Sequence, residues 1–256
     1  MRKILVIGIG VGDPRHMTIE AIDALNQVDI FFLPDKGTEK AALRNLRKTI
    51  CERFVEDENY RTIEVEIPQR SAAGDYLADV DEWHSRLADI YGGLFEQELA
   101  ENEIGGLLVW GDPAIYDSTM RIIERVRSTG VALDFEVIPG ISSFQVLAAR
   151  HRIPLNRIGE AVLLTTGRRL AGGFPEKADN AVIMLDGTQA FTKLDDDNLE
   201  IFWGAYLGME DEILLRGRLS DIKDEIVAVR QQARERHGWI MDTYLLRKLS
   251  SDDANG

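Results

Sequence analysis

The stretch Lys3-Ile-Leu-Val-Ile-Gly-Ile-Gly-Val-Gly-Asp-Pro14 decides how the chain is read. Its first eight residues are a continuous β-branched run ending in glycine, the pattern of a strand buried on both faces of a parallel sheet. The glycines that follow, Gly8, Gly10 and Gly12, let a ligand or another backbone come close, and the helix expected after Pro14 offers free N–H groups at its start. A dinucleotide fingerprint would require glycine where Asp13 stands, and a carboxylate there opposes a pyrophosphate, so that reading is rejected. A tight strand-to-helix turn remains the plain alternative.

Working outward, Arg15–Asn26 reads as a helix, with Met17, Ala21, Ala24 and Leu25 at helical spacing, and Val28–Leu33 as a second strand. Thr38–Arg53 reads as a helix, Arg61–Ile67 as a strand, Asp79–Ala100 as a long helix and Gly106–Trp110 as another buried strand. A helix at Ile115–Thr129 and a strand at Ala132–Ile138 complete a βα alternation, which makes a mostly parallel sheet. The hinge is placed beside Pro139-Gly140, giving an N-terminal α/β domain over 1–138 and a C-terminal α/β domain over 139–256. The second half opens with a helix at Ile141–Arg150. Strand-like runs follow at Ala161–Thr165, Ala181–Leu185, Glu200–Leu207 and Glu212–Arg218, then helix Ser220–Arg236 and a last strand in Trp239–Lys248. Fewer helices between strands favour a mixed sheet there.

Composition bounds the partners. Of 256 residues, 45% are hydrophobic and 29% charged, a balance able to bury a full core. Thirty basic against 44 acidic side chains give a net charge of −14, which repels phosphate backbones, so no nucleic-acid partner is expected. Cys51, the one cysteine, has no internal partner and no metal-spaced Cys/His set beside it, which fits a reducing cytoplasm and no metal. The apolar run Ile4–Ile9 is short for a signal segment and nothing approaches the ~20 apolar residues of a membrane span, so no membrane association is expected.

Two further loops follow buried strands: Trp110-Gly-Asp-Pro-Ala-Ile-Tyr-Asp-Ser118 and Val137-Ile-Pro-Gly-Ile-Ser-Ser143. Ligands of open α/β sheets bind outside the carboxyl ends of the strands, where such loops converge. Asp112 could equally cap a helix, and Tyr116 and Asp117 read as packing and capping residues. Taken together and in this order, the three motifs resemble the tetrapyrrole methylase family, and the likeness runs on through Leu163–Arg168, Val182–Gly187 and Tyr206–Leu219. Val11 stands where many members have proline.

The resemblance implies two α/β domains with S-adenosylmethionine in the cleft between them, a trough for a tetrapyrrole substrate, S-adenosylhomocysteine as product, and a homodimer. Carried over residue by residue, it assigns Trp110, Gly111, Asp112, Ile115, Tyr116, Ser142 and Ser143 to the cofactor's amino-acid end and sugar. Met184, Tyr206, Leu207 and Trp239 are assigned to its adenine. Within the family, Ile4–Gly37 and Arg47-x-x-Ile-Cys-x-Arg53 are similar to a branch that methylates a corrin precursor and releases acetate. Methyl transfer rests on alignment, whereas acetate release calls for an activated water. Asp35 and Lys36, just past the second strand, and Asp13 and His16, just past the first, are the candidates for that work. A plain turn at Asp35 and an exposed helix position at His16 are the competing readings. Arg168 and Arg169 suit the carboxylates of a tetrapyrrole, or form a solvated loop; Arg44, Arg47 and Lys48 are expected to face water. A sister enzyme acting on another tetrapyrrole, or a non-catalytic tetrapyrrole carrier, are the alternatives.

Overall fold

The computed structural model describes residues 1–35, 41–57, 59–69 and 76–249. The chain divides into two compact units, Met1–Ser142 and Ser143–Gly256. In the first, β1 (Arg2–Gly8) leads through a 3-10 turn (Pro14–His16) to α1 (Ile19–Leu25) and β2 (Ile30–Asp35), then α2 (Ala41–Phe54) and β3 (Arg61–Glu66). The unit continues with α3 (Tyr76–Glu98), β4 (Ile104–Val109), α4 (Thr119–Ser128) and β5 (Leu133–Ile138). The five strands are parallel and ordered β3-β2-β4-β1-β5.

The reason for the unbroken apolar run in β1 is visible in its neighbours. Ile4 and Val6 pack with Leu87, Phe95, Ile123 and Val126 of α3 and α4, while Leu5 and Ile7 pack with Ala21 and Leu25 of α1 and Ile50 and Cys51 of α2. Successive side chains of a strand point to opposite faces, so a strand covered by helices on both sides has no position left for a polar residue. Phe31 and Phe32 of β2 divide between the two faces in the same way.

The second unit runs α5 (Ser143–His151), β6 (Val162–Thr166), α6 (Gly167–Leu170), β7 (Asn180–Met184), a 3-10 turn (Ala190–Lys193) and β8 (Leu199–Ala205). It ends with β9 (Ile213–Arg218), α7 (Leu219–His237) and β10 (Asp242–Lys248). Its sheet, ordered β6-β7-β10-β8-β9, is mixed: β6 and β7 are parallel and the other pairs antiparallel. Trp203 and Tyr244, both fully buried, anchor one face against Ile226 of α7 and Phe191.

Four expectations are corrected. The helix expected at Arg15–Asn26 is broken: Met17 is extended, and the Thr18 side chain accepts from Ala21 N at 3.0 Å, starting α1 afresh. The helix expected from Ile115 starts at Thr119, because Tyr116 holds φ at 52° and Asp117 Oδ1 accepts from Thr119 N at 2.7 Å. Strand β2 runs two residues further than expected, since its pairing with β3 continues to Asp35 opposite Glu66. The arginines Arg168 and Arg169 lie on the short helix α6 rather than in a loop.

Candidate functional site

In the first unit the loops after β1, β4 and β5 meet at the carboxyl ends of three adjacent strands. Gly111 N donates to Gly10 O at 2.8 Å and Ile9 N to Val109 O at 2.9 Å, joining the first loop to the second. The third loop is packed closer still. A Cβ on Gly140 would stand 2.2 Å from the Gly111 carbonyl oxygen, and one on Gly8 would stand 2.6 Å from Gly140 N. Asp112 ties these loops together: its Oδ2 accepts from Gly140 N at 2.9 Å and its Oδ1 from Ala114 N at 2.8 Å. Ile115 N closes the turn on Asp112 O at 3.1 Å. Trp110 and Ile115 are half-buried, Gly111 and Ser142 buried, and Tyr116 exposed in the left-handed region. Next to it, Ser118 Oγ and His84 Nε2 of α3 are 2.9 Å apart.

The acid–base candidates differ in their surroundings. Asp13 caps the 3-10 turn through Arg15 N at 2.9 Å, and the Arg15 guanidinium grips both carboxylate oxygens at 2.6 to 3.1 Å. That hydrogen-bonded ion pair lowers the Asp13 pKa to about 2, against the opposing effect of burial, and makes it a weak base at neutral pH. His16 lies over Gly10, whose added Cβ would meet His16 Cβ at 2.6 Å. Asp35 ends β2 and pairs with Arg44 Nη1 at 3.3 Å. Lys36 lies outside the described residues.

Two of the arginines expected to face water do not. Arg44 is half-buried in its pair with Asp35, and Arg47 is buried on the face of α2 that carries Ile50 and Cys51. Arg47 Nε donates to the Leu108 carbonyl at 3.0 Å, and burial lowers its pKa. Lys48 is exposed, 3.2 Å from Glu64.

In the second unit the candidates share one end of the sheet, because β10 runs antiparallel between β7 and β8 and starts where they finish. Thr243 pairs with Met184, Asp242 with Ala205, and Thr166 of β6 also with Met184. Thr243 Oγ1 donates to Ser143 Oγ at 2.9 Å, joining α5 to this end. Tyr206 is buried with φ at 49°; its N donates to Met241 O at 3.0 Å and its hydroxyl to Trp239 O at 2.5 Å. The Tyr206 and Trp239 rings stand perpendicular, 5.1 Å apart. Leu207 is buried, Met184 half-buried, and Leu185 left-handed at φ 55°. Arg168 and Arg169 are exposed just past β6, at this same end.

Sequence reading missed the buried polar groups beneath these positions: Thr243, Asp186, Arg230, Asp242 and Tyr244. The signal available was a carboxylate directly after an apolar strand, Met184-Leu-Asp186, and an arginine on the apolar face of α7. Neither names its partner. Among the described residues no group of three or more His, Cys, Asp or Glu gathers as metal ligands, and no helix is long and apolar enough to cross a membrane.

Comparison with known proteins gives the chain a family. A precorrin-6A synthase (deacetylating) of Sinorhizobium sp is 53% identical over 255 residues, covering 99% of this chain and 98% of that protein. A precorrin-2 C(20)-methyltransferase of Sinorhizobium sp is 28% identical over 198 residues, covering 72% of this chain and 74% of that one. The crystal structure of a cobalamin synthesis related protein (CobF) from Corynebacterium diphtheriae superposes with a TM-score of 0.85 at 37% identity, over 98% of this chain and 100% of that one. At 16% identity the uroporphyrin-III C-methyl transferase of Thermus thermophilus, solved with S-adenyl homocysteine, shares the fold with a TM-score of 0.59 over 96% of this chain and 97% of its own. The profile of the Tetrapyrrole (Corrin/Porphyrin) Methylases matches residues 3–223, and the chain belongs to that family.

Proposed function

We propose that the chain is an S-adenosylmethionine-dependent C-methyltransferase of corrin biosynthesis that converts precorrin-5 to precorrin-6A, methylating C-1 and releasing acetate. The observation that carries this reading is the 53% identity, over 99% of the chain, to a precorrin-6A synthase. The same proposal takes a tetrapyrrole as substrate, a cytoplasmic location, which the single cysteine fits, and, from the family resemblance, a homodimer.

The residues present fit the cofactor. Loops packed to backbone contact at Gly8 and Gly140 leave backbone rather than bulky side chains at the carboxyl ends of β1, β4 and β5, where open α/β sheets receive small ligands. Half-buried Met184 and Trp239, with buried Tyr206 and Leu207, supply the apolar and aromatic surface a purine needs. Bound S-adenosylmethionine supplies a methyl group on a sulfonium and leaves as neutral S-adenosylhomocysteine. The chain's own task in that half is alignment: Trp110, Gly111, Asp112, Ile115, Tyr116, Ser142 and Ser143 are the residues proposed to hold the amino-acid end and sugar.

Acetate release adds water across the bond to the acetyl carbon, so a proton must be accepted and an oxyanion held. Asp35 is our candidate for orienting that water, since Asp13 is held as a weak base by Arg15. Arg44 Nη1, 3.3 Å from Asp35 Oδ2, fixes the direction of that carboxylate. Arg168 and Arg169 are proposed to meet the substrate's carboxylates.

The test is turnover of methyl-labelled S-adenosylmethionine with precorrin-5, followed by mass spectrometry of the macrocycle and assay of acetate. Transfer to another tetrapyrrole and not to precorrin-5 would replace the substrate, and no transfer to any would favour a carrier. Asp35→Asn is expected to methylate in a single turnover while accumulating product that keeps its acetyl group. Equal loss of both half-reactions would remove Asp35 from the hydrolytic step.

A further inference from the structure

Beneath the second unit's candidate residues lies a buried polar chain that the proposed reaction does not use. Arg230, on α7, is 6% exposed. Its Nε donates to Asp242 Oδ2 at 3.0 Å and its Nη2 to the Asp186 carbonyl at 3.2 Å. Asp242 Oδ2 also accepts from Trp203 Nε1 at 3.0 Å. The Asp186 carboxylate is equally committed: it accepts from Tyr244 OH and Ala190 N, each at 2.6 Å, and from Thr188 N at 3.2 Å. Only a glycine fits at 167, where an added Cβ would lie 2.2 Å from Asp186 Oδ1.

A buried ion pair is poor evidence for stability, because apolar residues of similar volume serve as well. Its position is more informative. Asp186 is two residues past Met184, and Asp242 precedes Thr243, the partner of Met184 across the sheet. Met241, beside Asp242, holds Tyr206 N through its carbonyl. Arg230 therefore joins the segments that carry Met184, Leu185, Trp239 and Tyr206. Leu185 needs such support: it is left-handed and 66% exposed, a strained conformation for a leucine that persists only where neighbours enforce it.

We infer that Arg230 is a positioning residue for cofactor binding, setting through the Asp186 carbonyl and the Asp242 carboxylate the two segments that receive the adenine ring. This rests on the cofactor assignment made above. Arg230 does not touch the ligand; it fixes the backbone that does.

The experiment uses the full chain and S-adenosylhomocysteine as the calorimetric probe, below the melting transition of every variant. Arg230→Met is expected to weaken binding at least tenfold and to raise KM for S-adenosylmethionine by a similar factor, with KM for the tetrapyrrole unchanged. The double variant Arg230→Met/Asp242→Asn removes both charges and keeps an acceptor for Trp203. It is expected to melt above the single variant yet to bind as weakly, since the bond to the Asp186 carbonyl is still missing. If Arg230→Met does not fold, the double variant carries the test. Wild-type affinity in the double variant, or a tetrapyrrole KM that rises as much as the cofactor's, would overturn the inference. Failure of the wild-type protein to bind S-adenosylhomocysteine would overturn the cofactor assignment itself, and the inference with it.

Discussion

Asp112 shows how one residue can serve two readings until its partners are known. From sequence it was a cofactor contact or a cap; its carboxylate in fact accepts from Gly140 N, across 28 positions of chain, and from Ala114 N within its own turn. Asp112→Ala leaves Gly140 N without that acceptor, in a loop too tightly packed to shift. The expected loss is about 1–3 kcal/mol of unfolding free energy, the worth of a hydrogen bond to a carboxylate, toward the lower end because the site is half-buried. Asp112→Asn, which keeps one carbonyl oxygen, should lose less. Denaturant titration measures both, and wild-type stability in the alanine variant would leave the tie without energetic weight. Arg47 is a parallel case, where a residue expected in water is buried against Leu108 O. A helix position facing the core is legible from its apolar neighbours Ile50 and Cys51, but a guanidinium placed there looks from sequence like a break in the pattern.

At the scale of elements, two glycines in the first unit make opposite predictions. Gly140→Ala puts a methyl 2.2 Å from a backbone oxygen and 2.8 Å from Gly8 C, with no flexible side chain to give way. Overpacking of this kind costs about 1–3 kcal/mol or more. Gly93, inside α3, has nothing nearer than Gln97 Nε2 at 4.0 Å, so Gly93→Ala should stabilise by about 0.5–1 kcal/mol through helix propensity. Thermal melts of the pair check the contrast; a neutral Gly140→Ala would mean that the three loops are free to separate. The strands and long helices were legible because their apolar periods are strong. The break at Thr18 and the delayed start of α4 were not, since each depends on one side chain or one left-handed residue rather than on a period. The four-residue α6 is too short to show a period at all.

Across the whole molecule each unit buries one neutral histidine. His84 in the first unit and His151 in the second are both pushed below the ordinary value near 6.5, chiefly by desolvation, with Arg125 and Arg121 adding to it at His84 and Arg216 at His151. The unfolded chain therefore takes up protons that the folded chain refuses. Stability from these sites is complete above pH 6.5 and is lost as pH falls below it toward the lower folded values. The melting midpoint should fall between pH 7.5 and 5.5, and more gently in His84→Gln and His151→Gln, whatever their stability at pH 7.5. An unchanged slope in both variants would assign the acid sensitivity to other groups.

The sequence alone determined what local chemistry can encode: a parallel βα unit followed by a mixed sheet, strands buried on both faces, and glycine-rich loops after β1, β4 and β5. It also carried the family, because those loops form a motif set in a fixed order. The tertiary structure decided which polar groups meet. Asp112 with Gly140, Arg47 with Leu108, Asp35 with Arg44 and Arg230 with Asp186 and Asp242 join residues on different elements. Hydrophobic period is a property of one segment and can be read along it. A hydrogen bond between segments depends on strand order and register, which exist only once the chain has folded.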